Sequence, residues 1–265
     1  MTPEDVWAAG DLYEPFVGRW SRRVAPEFLA WLDVPPGRAW LDVGCGTGAL
    51  TQTLLDRSSP RSVRSIDASP AYVDYARARI GERTVATFEV GDARSLPVED
   101  ASVDAAVSAL LLNFVPEPAL AVGEMSRALR PGGVAAAYVW DYSGRMELLR
   151  HFWDAAIALD PAARELDEGT RFPLCHPEAL ADVFSGGHLS DVRTRAIDVP
   201  TVFRDFDDYW SPFLGGQGPA PGYAMSLEEA RRGALRDRIR SRLPVEADGS
   251  IHLIARAWAV RGSRA

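Results

Sequence analysis

Hydrophobic and polar positions change period along this chain, and the changes outline its elements. Trp40-Leu41-Asp42-Val43 is a short apolar run that reads as a buried strand, and the helix-forming segment Leu50 to Arg57 follows a glycine turn. Val63 to Asp67, Ala86 to Val90 and Val103 to Leu110 repeat the strand pattern. Leu129-Arg130-Pro131-Gly132-Gly133-Val134 ends a helix and restarts a strand that runs to about Trp140. This alternation predicts right-handed βαβ crossovers and a parallel sheet. Ser190 to Val199 and Ser250 to Val260 read as a sixth and a seventh strand.

The flanking segments have a different texture. Residues 1–38 read as helices with an apolar face at Val24, Phe28, Leu29 and Leu32, stopped by Pro35-Pro36-Gly37. Roughly fifty residues, Pro200 to Gly249, separate the last two strands, too many for an ordinary loop. They include a helical stretch, Leu227 to Leu243, a helically spaced aromatic group (Phe206, Tyr209, Trp210, Phe213) and an expected flexible loop, Gly215 to Gly222. The expectation is therefore a single domain over 1–265. It has a lead-in (1–38), a core (39–143), and two cap segments, 144–189 and 200–249, that cover the carboxyl ends of the strands.

Composition narrows the possibilities. The chain has 265 residues, 47% of them hydrophobic, enough for a proper core. A net charge of −8 speaks against a nucleic-acid partner. Two distant cysteines, Cys45 and Cys175, indicate a reducing compartment and no disulfide framework. With no membrane-spanning run and an acidic start, the expectation is a cytoplasmic protein, monomeric or homodimeric, without a membrane partner. Lysine is absent, which excludes a Tyr-x-x-x-Lys pair, a P-loop lysine and a Schiff base. No carboxylate cluster marks a metal site.

The glycine turn carries the chemistry. Glycine tolerates positive φ and lets the backbone approach a ligand, while the following helix points its N-terminus into the same crevice. Gly44, Gly46 and Ala49 satisfy a dinucleotide fingerprint, with Asp67 about 20 residues on. Asp42, two positions before the first glycine, would repel a pyrophosphate but suits a sulfonium and an ammonium.

Trp40 to Leu50, with Gly48 as a third glycine, resembles motif I of the class I S-adenosylmethionine-dependent methyltransferases, in particular the broad small-molecule and quinone-type group. The resemblance implies a Rossmann-like α/β fold. Its seven-stranded, mostly parallel sheet has an antiparallel last strand, N-terminal helices, and here a helical cap inserted after strand six. It implies cofactor contacts from Asp42, Gly44, Cys45, Gly46 and Gly48, from Asp67 to the ribose hydroxyls, and from Ala68 to the adenine face. Asp92 would meet the adenine amino group, with Ala93 stacked nearby and Leu110 at the end of the strand beneath the methyl donor. In the lead-in, Arg22, with Arg19 second, is expected to pair with the methionine carboxylate, and Tyr13 and Trp20 to wall off the sulfonium.

The acceptor is less legible. Transfer from a sulfonium is an in-line displacement, so a base helps chiefly for a hydroxyl. Asp141, Tyr142 and His151 are the candidates after strand five, and His176 reads as a helix cap. The expected function is methyl transfer to oxygen, nitrogen or carbon of a small, apolar or aromatic molecule, leaving S-adenosylhomocysteine. The alternatives are a nicotinamide-dependent oxidoreductase or a non-catalytic adenosylmethionine-binding module.

Overall fold

A computed structural model describes residues 17–81, 85–215 and 218–265. They fall into two compact units. One, the sheet unit, holds 21–140, 174–197 and 257–265; the other holds 17–20, 141–173 and 198–256.

The sheet unit follows from the alternation read in the sequence. Helix α1 (Arg19–Leu32) precedes β1 (Ala39–Val43), α2 (Ala49–Arg57), β2 (Ser62–Asp67), α3 (Pro70–Ile80), β3 (Ala86–Val90) and β4 (Val103–Ala109). Then come α4 (Pro118–Ala128) and β5 (Leu129–Trp140). The seven strands lie in the order β3-β2-β1-β4-β5-β7-β6, with β6 at Leu189–Phe203 and β7 at Ile251–Arg264. β1 to β5 pair in parallel, and β7 runs antiparallel to β5, from Val134 opposite Ser263 to Trp140 opposite Ala257. All five residues of β1 are buried, which is why its sequence is a continuous apolar run rather than an alternation. The Arg130–Gly133 turn loops out between two pairings, Val103 with Leu129 and Ala105 with Val134. The core on one face includes Leu41, Ile66, Met125, Ala135 and Phe184.

Three expectations change. The last two strands are longer than their apolar cores suggested. The expected loop 215–222 is interrupted by a helix, Pro219–Ser226, because Pro219 occupies a first-turn position where its missing N–H has no helical acceptor. His176 stands at the N-cap of α6 (Pro177–Gly186), but its side chain makes no capping bond.

The second unit contains α5 (Glu147–Leu159), α7 (Phe206–Trp210), α8 (Pro219–Ser226) and α9 (Glu229–Arg240). Its aromatics pack on one another. Phe152 stacks on Phe213 at 4.6 Å, Phe203 meets Tyr209 at 5.3 Å, and the Tyr209 hydroxyl donates to Leu148 O at 2.8 Å. Phe203, Phe206, Tyr209, Trp210 and Phe213 are all buried, so their helical spacing serves packing.

Candidate cofactor site

The strand order reverses between β1 and β4, and the carboxyl ends of strands flanking such a reversal form a crevice in which α/β proteins bind ligands. The glycine turn lies there. Gly44, Gly46 and Gly48 have φ of +73°, +51° and +81°, a region costly for any residue with a Cβ. Their surroundings differ. A Cβ on Gly44 would sit 2.5 Å from Leu111 Cδ2 and one on Gly48 2.7 Å from Ile80 Cδ1, whereas Gly46 faces open space. The positive φ asks for glycine at all three, a side chain at Gly44 or Gly48 would also have to displace Leu111 or Ile80, and Gly46 leaves room for a ligand.

Internal hydrogen bonds decide what the turn can bind. The N–H groups of Gly44 and Cys45 both donate to Ile66 O, at 2.7 and 3.0 Å. Gly46 N–H donates to Asp67 Oδ2 at 2.9 Å, and Gly48 N–H to Cys45 O at 2.8 Å. A phosphate nest needs such N–H groups free. Here three of them fasten the turn to the end of β2 and the fourth closes the turn on itself, which argues against a pyrophosphate.

Asp42 is fully buried. Its Oδ2 accepts from Thr51 Oγ1 at 2.6 Å, and that hydroxyl also bonds Ser65 Oγ at 2.8 Å. Its Oδ1 has no partner. Burial pushes its pKa up to about 7, with Asp67 adding to the rise against the Thr51 bond. A buried carboxylate with one unpartnered oxygen fits a cationic group and disfavours an anionic one.

The other site residues extend along neighbouring strand ends. Asp67 is half-buried, and its second oxygen accepts Ser69 N–H at 2.9 Å. Each oxygen thus has one backbone donor and a lone pair left, the arrangement a pair of vicinal hydroxyls needs. Burial raises its pKa, against the bonds from Ser69 and Gly46. Ala68 is exposed beside it and Ala93 packs partly against the core. Leu110 has φ +59°, a strained conformation for leucine, just past the end of β4. Cys45 turns its thiol into an apolar cluster with Val73, Ala76, Ile80 and Phe88, and burial raises its pKa further. Only its backbone belongs to the turn. Asp92 is exposed and clasped by Arg94, whose Nη2 lies 2.7 Å from Oδ2. Those bonds hold its pKa down to about 2.

The lead-in residues are placed differently from one another. Tyr13 lies outside the described residues. Trp20 is buried in the second unit, edge-on to Phe203 at 5.3 Å, with the Arg19 guanidinium 4.4 Å from its ring centroid. Arg19 also pairs with Asp208 at 3.1 Å, so it has a packing role. Arg22 is half-buried on α1.

Of the acceptor-side candidates, Asp141 is buried. Its carboxylate accepts Gly144 N–H at 2.9 Å and Arg145 N–H at 3.0 Å, clamping the turn into α5. Tyr142 is buried against Phe172 at 5.6 Å. His151 is half-buried on α5, and burial lowers its pKa, against Glu147 and Asp154. Sequence patterns did not single out Glu168. It is 2% exposed, it accepts the Trp153 indole N–H, and burial pushes its pKa up to about 7. Nothing in its neighbours Asp167 and Gly169 signals that burial. Among the described residues no group of His, Cys, Asp and Glu could hold a metal ion, and no helix is long and apolar enough to cross a membrane.

The fold is that of the class I S-adenosylmethionine-dependent methyltransferases. Residues 41–137 match the family described as "Methyltransferase domain". An uncharacterized methyltransferase of Mycobacterium tuberculosis is 40% identical over 116 residues, 44% of this chain and 45% of that protein. The 2-methyl-6-phytyl-1,4-hydroquinone methyltransferase of Synechocystis is 28% identical over 188 residues, 70% of this chain and 57% of that one. The chain thus spans about half the length of these curated relatives. Among solved structures, phosphoethanolamine N-methyltransferase 2 of Haemonchus contortus, in complex with phosphomonomethylethanolamine and S-adenosylhomocysteine, aligns with a TM-score of 0.60. That alignment is 14% identical and covers 96% of this chain and 57% of that one, a likeness of fold.

Proposed function

We propose that this chain binds S-adenosylmethionine at the glycine turn and transfers its methyl group to oxygen, nitrogen or carbon of a small, apolar or aromatic molecule. Asp42 carries the reading: it is a buried carboxylate with an unpartnered oxygen beside a turn whose N–H groups are already engaged. In this reading Asp42 answers the cofactor's positive charge, Asp67 the ribose hydroxyls and Asp92 the adenine amino group. Ala68 and Ala93 flank the adenine, Gly46 admits it closely, and Leu110 lines the methyl end. Arg22 takes the methionine carboxylate through its planar fork.

When bound, the cofactor supplies an electrophilic methyl on a good leaving group, so the protein's part is alignment and exclusion of water. For a hydroxyl acceptor, His151 is the stronger base candidate. Its lowered pKa keeps the ring neutral near pH 7, whereas Asp141 is engaged by the turn it clamps. Tyr142 would orient the acceptor beside it. The hydroquinone named for the Synechocystis relative supports an aromatic acceptor. We further propose a cytoplasmic protein.

Calorimetric titration with adenosylmethionine, adenosylhomocysteine and NAD(H), repeated on Asp67→Ala, tests the cofactor. Binding of the first two at about 8 kcal/mol, lost in the variant, supports the reading. Binding of NAD(H) alone overturns it in favour of an oxidoreductase. Tight cofactor binding with no methyl transfer to a panel of hydroxy-, amino- and quinol-bearing acceptors points to a non-catalytic binding module.

A further inference from the structure

The opposite end of the sheet has a cavity of its own. It lies at the amino ends of the parallel strands and measures about 190 Å³. The segment after α1 (Asp33 to Pro35), Arg38, Asp104, the Arg130 to Val134 turn and Arg261 line it. At roughly 30 Å³ per water it has room for about six, enough for a phosphoryl group and a little of what bears it.

The charges around it do not balance. Asp104 heads β4 and is held by Ala39 N–H at 2.8 Å. Three guanidinium groups converge on that one carboxylate: Arg130 at 3.0 Å, Arg61 at 3.3 Å and Arg38 at 3.8 Å. A fourth cation, Arg261, is fixed by bonds to the carbonyls of Trp31 and Leu32 at 3.4 and 2.9 Å. In the lining itself three arginines, Arg38, Arg130 and Arg261, face two acids, Asp104 and Asp33, and Arg61 reaches Asp104 from outside it. Like charges this close repel, and each guanidinium keeps N–H donors beyond those used on Asp104.

We infer that this cavity is a second binding site, for a small phosphorylated anion, independent of the cofactor reading. Arg38 and Arg130 would grip the phosphoryl oxygens through their planar forks, and Asp104 would hold both cations in place. A compact anion fits better than a polyanion, because the chain's net charge of −8 repels a long acidic polymer.

The test is calorimetric titration of the full chain, at constant ionic strength, with inorganic phosphate, pyrophosphate and adenosine monophosphate. The expected result is saturable one-to-one binding of at least one probe with Kd below about 1 mM, weakened about tenfold or more in Arg38→Gln/Arg130→Gln. Phosphate binding as tightly as the larger probes identifies free phosphate as the ligand, whereas tighter binding of the larger probes identifies a phosphorylated metabolite. Arg77→Gln removes the same kind of charge from α3, outside this cavity, and is expected to leave binding intact. Should the double variant melt early, Arg38→Gln alone serves. No saturation by any probe up to about 10 mM, equal loss in Arg77→Gln, or full binding in the cavity variants overturns the inference.

Discussion

Gly46 and Asp67 are tied together: the glycine N–H donates to Asp67 Oδ2 at 2.9 Å across 21 positions of sequence. One carboxylate thereby shapes the turn and offers its remaining lone pairs to a ligand. Asp67→Ala removes both functions. It is expected to weaken adenosylmethionine binding by about 2–3 kcal/mol and to destabilise the fold by roughly 1 kcal/mol. Calorimetry and denaturant unfolding on the same preparations separate the two, and equal losses would count against a ligand-binding role.

The three turn glycines are expected to respond unequally to alanine. Gly48→Ala adds a methyl 2.7 Å from Ile80 Cδ1 on top of its left-handed backbone, so its dominant loss is in stability. Gly46→Ala meets nothing within 4 Å. It should unfold only about 1–2 kcal/mol more easily while losing most cofactor affinity, because the methyl fills the approach to the turn. Thermal melts compared with binding constants give the ranking, and the reverse order would remove Gly46 from the site.

Cofactor affinity should rise with pH through about 7. Asp42 in the free protein titrates near there, and a bound cation favours its ionised form, so binding expels a proton on the acid side. Titrations in buffers of different ionisation enthalpy measure that release. Asp42→Asn is expected to flatten the pH profile as well as weaken binding.

Stability should run the other way. The folded chain keeps protons on Asp42 and Glu168 that the unfolded chain releases from 3.8 and 4.5 upward, since both folded pKa values lie at about 7. The stabilising contribution is complete below those unfolded values and is lost as pH rises through about 7. Glu168→Gln keeps an acceptor for the Trp153 indole without an ionisable proton. It is expected to be more stable than the parent at pH 8 by on the order of 3 kcal/mol at most, and similar to it near pH 4. Urea midpoints at the two pH values check this, and an unchanged difference would mean Glu168 stays protonated throughout.

Much of the sheet unit was readable in advance. Strand ends, the glycine turn and the long separation between the last two strands leave marks in local composition. The cap aromatics were legible as a helical stripe, but their use in packing each other was not. The same holds for Trp20: an aromatic beside an arginine was read as a wall over the cofactor, whereas its edge-on contact with Phe203 depends on a segment distant in sequence. His176 marked a helix start correctly, while its side chain stayed out of the cap.

The turn and its acids are written into local stretches of the chain. Positive φ at Gly44, Gly46 and Gly48 is a local backbone requirement, and Asp42, Asp67 and Asp92 fall at strand ends whose apolar runs are equally local. Tertiary structure alone decided what those groups can do. It sealed Asp42 with one oxygen unpartnered, clasped Asp92 with Arg94, buried Glu168 against Trp153, and gathered three arginines on Asp104. Desolvation and charge pairing depend on which distant segments pack together, and no short stretch of chain encodes that.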